Sequence, residues 1–202
     1  MLKRKNKIII IICLIIMVIS IFIGLYPSLS KKEKEVKEDK LVQEFIDKND
    51  DVKTTTKNEE EKQEKHIEEN YLMVVEIPKI NLRKGIYNIN SKNNTVNKNI
   101  QIMKESDMPN KDKGMLVLAG HNGNSRVSYF DRLNELNKED KVYIYYANNK
   151  YTYEISNMYE AEKNGTITVK KEREKTVIVL ISCKKNTKDK QLVYIGNLIN
   201  IE

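Results

Sequence analysis

The hydrophobic positions fall into three unlike regimes along the chain. An aliphatic block without charge runs from Ile8 to Leu25, residues 31–70 are almost wholly polar, and from Tyr71 onward short runs of Val, Ile and Tyr alternate with polar turns. The alternation predicts strands at residues 72–77, 115–119, 142–146, 151–156, 166–169, 176–182 and 191–199. Ala147, Asn148, Asn149 and Lys150 supply a turn between two tyrosine-rich strands, and Asn164-Gly165 supplies another. Helical spacing is confined mainly to Tyr129, Phe130, Leu133 and Leu136, with Ser128 as a candidate cap. The run 177–181 is apolar at every position, which predicts a central strand buried on both faces. Many short strands with one or two short helices predict a mainly β fold, a small closed β-barrel.

The first two regimes predict an anchor and a stalk. The block from Ile8 to Leu25 is long enough for a membrane-spanning helix, expected at 8–26. Lys3, Arg4, Lys5 and Lys7 precede it and the acids begin only at Glu33, so residues 1–7 are expected in the cytoplasm and everything after the span outside. A cleaved signal peptide is the competing reading, but the block is long for one and Ser28 and Ser30 make a poor cleavage site. Residues 27–70 are expected to be a charged extracellular stalk, helical at most over the weak apolar group Leu41, Val42, Phe45 and Ile46. Cys13 is then a lipid-facing side chain and His66 an exposed stalk residue. Residues 71–202 remain for a single domain with its own core.

Composition narrows the function. The formal charge of +7 belongs to the C-terminal domain, because the basic N-terminus and the acidic middle offset one another. Its lysines are scattered without interleaved stacking aromatics, and the domain is expected outside the cell, so no nucleic-acid partner is expected. With 2 histidines and Cys 2 in 202 residues, a zinc finger or a disulfide-stapled scaffold is excluded, and no metal or cofactor is expected.

Setting the anchor and stalk aside leaves Cys183 and His121 as the cysteine and histidine of the domain. Exported cysteines mostly pair, and Cys13 within a membrane span cannot reach Cys183. A thiol packed as a small hydrophobe and a histidine on a surface loop are the bland alternatives. Against them, each residue ends a predicted strand, Cys183 before the polar run 184–190 and His121 after Leu118-Ala119-Gly120. A thiol beside an imidazole is the arrangement of nucleophilic acyl transfer, since an unassisted cysteine is mostly protonated at neutral pH.

Ile77-Pro78-Lys79-Ile80, Leu118-Ala119-Gly120-His121-Asn122, Tyr129-Phe130-Asp131-Arg132-Leu133 and Leu180-Ile181-Ser182-Cys183, in that order over residues 72–199, resemble a sortase. Sortases are membrane-anchored cysteine transpeptidases of Gram-positive bacteria. The resemblance implies an eight-stranded barrel, Cys183 as the acyl-forming nucleophile and His121 as general acid and base. It implies as partners surface proteins with a C-terminal sorting signal of the Leu-Pro-x-Thr-Gly type, and an amine acceptor on a peptidoglycan precursor or a pilin. The family carries an arginine at the start of the last strand; the matching position here is Gln191, and no arginine follows Arg173. Glutamine keeps N–H donors for an oxyanion but loses the charge and the fork. Lys190 is the alternative replacement, although in a regular strand it points to the opposite face. The missing arginine also motivates a second reading, a weakly active or inactive sortase-like module that binds peptide. A third, an anchored surface protein without catalysis, leaves the Cys–His pair unexplained. A chain that stops at Glu202 without a second apolar span argues mildly against the pilus-polymerising types.

Overall fold

The structure, a computed structural model, describes residues 39–47, 71–123, 125–171 and 174–202, with Leu14 and Met17 besides. The N-terminus expected at 1–7, the rest of the anchor expected at 8–26 with Cys13, and the stalk outside 39–47 with His66 lie outside the described residues. Among the described residues no helix is long and apolar enough to cross a membrane. The chain divides into two units, Met1–Lys40 and Leu41–Glu202, and the second contains every described strand.

The alternating segments form β1 (Tyr71–Ile77), β2 (Leu82–Tyr87), β3 (Gln101–Ile102), β4 (Met115–Gly120), β5 (Lys141–Tyr146), β6 (Asn149–Glu162), β7 (Val177–Cys183) and β8 (Lys190–Ile201). They make an 8-stranded sheet in the order β2-β1-β5-β6-β8-β7-β4-β3. Every pairing is antiparallel except that of β4 with β7. The sheet curls into a nearly closed barrel, where the sequence pattern predicts a closed one. β3 is too short to complete a ladder with β2, and asparagine side chains span the remaining gap. Asn99 Nδ2 donates to Gly85 O of β2 at 2.8 Å. Asn94 accepts from the Ile102 N–H at 2.7 Å and donates to the Ile102 carbonyl at 3.0 Å, supplying a buried edge with the partners a missing strand would give.

Burial follows the pleat. Ile178 and Leu180 of β7 point into the barrel with Leu116 and Leu118 of β4, Met73, and the ring of Tyr153. Val177 and Val179 point outward into a second cluster with Val117, Val193 and Ile195, over which Ile167, Val169 and Tyr159 pack. The four residues Val177 to Leu180 are each 0% exposed, so the expectation of a central strand buried on both faces holds. Across the barrel, helix α1 (residues 39–47) seats Val42 and Ile46 on Val74, flanked by Phe45, Tyr71 and Tyr145. Arg83 of β2 donates to Gln43 Oε1 of this helix at 3.1 Å. The weak apolar group in the expected stalk is thus a packed helical face.

Several elements differ from the sequence pattern. β2 and β3 escape it because Arg83, Lys84 and Gly85 interrupt one and the other has two residues. The strand expected at 166–169 is absent: its backbone is held by the hydroxyl of Tyr159, which donates to Thr168 O and accepts from Lys170 N. The helical spacing around Tyr129 yields only a 3-10 turn at Leu133–Glu135, preceded by Arg132. Ser128 caps nothing there; its hydroxyl meets that of Ser125, while Phe130 N donates to His121 O and draws the segment against the end of β4.

That contact leaves no room at Gly120, the last residue of β4. A Cβ there would stand 2.7 Å from Phe130 Cδ2 and 2.9 Å from Cγ. Gly120→Ala is therefore expected to destabilise the fold by about 1–3 kcal/mol, the usual cost of overpacking a core. Urea denaturation measures it, and a variant as stable as wild type would show that the Phe130 ring yields freely.

Candidate active site

The parallel register of β4 and β7 aligns two strand ends. Gly120 pairs with Ser182, and the buried Ser182 hydroxyl donates to Gly120 O at 3.1 Å. His121 and Cys183 are the next residues on either strand. Because side chains alternate, Cys183 shares the outer face with Val177, Val179 and Ile181. β8 returns antiparallel, with Gln191 directly opposite Cys183, so these two side chains project on the same face. Lys190 projects on the other.

Rows of register partners therefore cross the outer face. Tyr159, Val193, Ile181 and Ala119 form one row across β6, β8, β7 and β4. Ala161, Gln191 and Cys183 form the next, and His121 continues β4 at its level. The structure sets Cys183 and Gln191 opposite one another on one face and places His121 at the same end of the sheet, one residue past the Gly120–Ser182 pair.

Around them the contacts are mostly neutral amides. His121 Nε2 lies 3.1 Å from Asn97 Oδ1. Asn122 Nδ2 donates to the Cys183 carbonyl at 2.9 Å, tying the strand ends together one residue beyond the last backbone pair. Gln191 Nε2 donates to Glu162 O at 3.2 Å. The Cys183 thiol is free and partly buried, and no hydrogen bond joins it to His121 among the described residues. Asn97 and Asn122 were not singled out in the sequence. Asn122 stands beside His121 in the quoted segment, whereas Asn97 is 24 residues away and carries no local signal.

The lysines flanking Cys183 and Gln191 in sequence are taken up by one carboxylate. Glu160 of β6 pairs with Lys184, the residue after Cys183, and lies 3.7 Å from Lys190 Nζ, the residue before Gln191. One carboxylate thus clamps both ends of the β7–β8 connection, and Lys190 is engaged there rather than facing Cys183. The hydrogen bond from Lys184, with the nearby charges of Lys184 and Lys190, holds the Glu160 carboxyl below its ordinary range. Among the described residues no group of three or more His, Cys, Asp or Glu side chains converges in a way that would hold a metal ion.

The chain also matches known proteins in sequence and in fold. A family model described as "Sortase domain" matches residues 75–199. Sortase D of Bacillus subtilis (strain 168) is 30% identical over 110 residues, covering 54% of this chain and 52% of that protein. Sortase A of Bacillus anthracis is 33% identical over 89 residues, covering 43% and 41%. The chain spans about half the length of these curated relatives. Among solved structures, sortase C-1 from Actinomyces oris superposes with a TM-score of 0.58 at 23% identity, covering 66% of this chain and 76% of that one. At that identity the likeness is one of fold.

The Glu160 clamp has a pH signature. A depressed folded-state carboxyl contributes stability above its unfolded pKa, and loses it as pH falls through the folded value. Carbon NMR titration of Glu160 is expected to give a midpoint below that of an ordinary glutamate, moving upward in Lys184→Met. An unmoved midpoint would show that the pair does not form in solution.

Proposed function

This chain belongs to the sortase family, and we propose that its domain is a cysteine transpeptidase with Cys183 as nucleophile, His121 as general acid and base, and Gln191 as oxyanion donor. The reading is supported above all by the register that sets Cys183 opposite Gln191 and level with the residue after Gly120. The substrate is a C-terminal sorting signal of the Leu-Pro-x-Thr-Gly type on a surface protein. The acceptor is an amine of a peptidoglycan precursor or a pilin, with water as the hydrolytic alternative. An N-terminal membrane helix would hold the domain at the outer surface of a Gram-positive cell.

The proposed chemistry builds on the contact of His121 with Asn97. With Asn97 Oδ1 accepting at Nε2, the neutral imidazole carries its hydrogen there and keeps the Nδ1 lone pair as base. The thiol proton passes to the imidazole and the thiolate attacks the Thr carbonyl carbon. As the tetrahedral intermediate collapses, the Thr–Gly C–N bond breaks and the imidazolium returns the proton to the departing amine. The thioester is then attacked by the acceptor amine, whose proton goes to His121 as the C–S bond breaks. A primary amide has two N–H groups; one of Gln191's bonds Glu162 O, and the second serves the oxyanion.

Mass spectrometry of the chain incubated with a sorting-signal peptide library is expected to show an acyl adduct on Cys183, absent in Cys183→Ala. Retained cleavage in that variant would remove Cys183 as nucleophile. Gln191→Ala is expected to slow thioester formation on the order of a hundredfold to a thousandfold, the range for losing one oxyanion donor. Should Lys190→Ala fail while Gln191→Ala matches wild type, the donor is Lys190.

A second reading is a sortase-like module that binds peptide without processing it. It is favoured by glutamine in place of the family's arginine and by a thiol without a hydrogen bond to His121. Alkylation by iodoacetamide separates the readings, since the transpeptidase requires a His121-dependent rate at Cys183 and the binding module does not.

A further inference from the structure

Residues 163–171 leave β6 without regular secondary structure and fold back over the outer apolar face. Ile167 and Val169 pack on it, but the backbone between them joins no strand. One side chain supplies the missing partners. The Tyr159 hydroxyl donates to Thr168 O at 2.8 Å and accepts from Lys170 N at 3.3 Å, and the Lys170 ammonium lies 5.2 Å from the centre of the Tyr159 ring. Burial raises the Tyr159 pKa, so the hydroxyl stays protonated through neutral pH and fills both roles.

The place of this contact matters. Tyr159 belongs to the row of register partners next to the row holding Gln191 and Cys183. Rows two residues apart along a strand are about 7 Å apart. A peptide lying extended along the strands with its reacting carbonyl at Cys183 advances roughly 3.3 Å per residue, so its next few residues upstream pass beside the segment that Tyr159 holds.

We propose that Tyr159 is a positioning residue for peptide binding: by pinning residues 168–170 it keeps the Ile167–Val169 wall in place on the face that carries the thiol before any peptide arrives. The proposal rests on the transpeptidase reading and adds a residue that touches neither thiol nor imidazole. A wall already in place spares the peptide the entropy of ordering it, so loss of the pin appears in peptide affinity and leaves the bond-making steps alone.

The test is Tyr159→Phe in the full 202-residue chain, which keeps the ring and removes both hydrogen bonds. Amide exchange at Lys170 is expected to quicken. KM for a Leu-Pro-x-Thr-Gly peptide is expected to rise about tenfold, matching the loss of roughly one net hydrogen bond's stabilisation. The kcat and the rate of Cys183 alkylation by iodoacetamide, a reagent too small to need the wall, are expected to change less than twofold. Unchanged exchange at Lys170 would overturn the pin. Faster exchange with unchanged KM would overturn the wall's role in binding, and a matched fall in kcat and alkylation would make Tyr159 a general structural residue. A wild-type chain that forms no acyl-enzyme defeats the transpeptidase reading and the wall's role with it, while exchange at Lys170 still reports whether the pin exists.

Discussion

The parallel pairing of β4 with β7 is the constraint on which the rest of the structure depends. Antiparallel neighbours can be joined by a tight turn, but parallel neighbours must be joined by chain that crosses over, and their pairing is stable when both faces are covered. Here β5 and β6 lie between the two strands in sequence, and both faces are covered in different ways. The barrel interior covers Ile178 and Leu180, while Ile167, Val169 and Tyr159 cover the outer valines. The register then does what no local motif can: it levels residues 121 and 183, which are 62 positions apart, as the Ser182 to Gly120 bond one residue earlier reports. β8, paired along the other edge of β7, adds Gln191 to the same face.

Satisfying backbone groups where strands stop is the recurring problem of this barrel. At several of these ends it is met by a neutral side chain, and at the start of β4 by the Asp107 carboxylate, which accepts from Met115 N. Asn94 and Asn99 close the gap beside β3, Asn122 takes the Cys183 carbonyl, and Tyr159 serves the backbone at Thr168 and Lys170. An unpaired buried amide or carbonyl costs more than a made hydrogen bond returns, so the buried bonds of Asn94 and Asn99 are worth more through the penalty they prevent than through the bond itself. Asn122 supplies such a partner at the proposed active site, where the β4–β7 ladder ends.

Legibility in the sequence tracks this distinction. β1, β4, β5, β6, β7 and β8 were visible because their alternation or full burial is written in consecutive residues. β7 stood out most, since only a strand covered on both faces is apolar at every position. The site residues Cys183 and His121 were visible through scarcity, and Gln191 through the resemblance. β2 was hidden by Arg83, Lys84 and Gly85, and β3 by its two residues. Residues 166–169 read as a strand because Ile167 and Val169 alternate with threonines; both do pack, but the hydrogen bonds go to a phenol. Alternation records which side chains are buried, and it is silent about what the backbone bonds to. Asn97 was invisible for a related reason: its contact with His121 spans 24 residues, and asparagine has no pattern of its own.

The electrostatic character of the site follows from where its charges go. A family arginine opposite the thiol would bring a fixed positive charge to a developing oxyanion; here Gln191 occupies that position. The lysines next to Cys183 and Gln191 in sequence do not compensate, because Lys184 and Lys190 both pair with Glu160. The contacts made by the candidate site residues are dipolar, with Gln191 opposite Cys183 in register, Asn122 on the Cys183 carbonyl and Asn97 on the imidazole. A neutral donor gives an oxyanion less than a guanidinium does, but it also imposes no charge that must be desolvated when peptide covers the site. In such a site most of the catalytic burden falls on placement, that is, on the β4–β7 register and on the side chains that hold its ends.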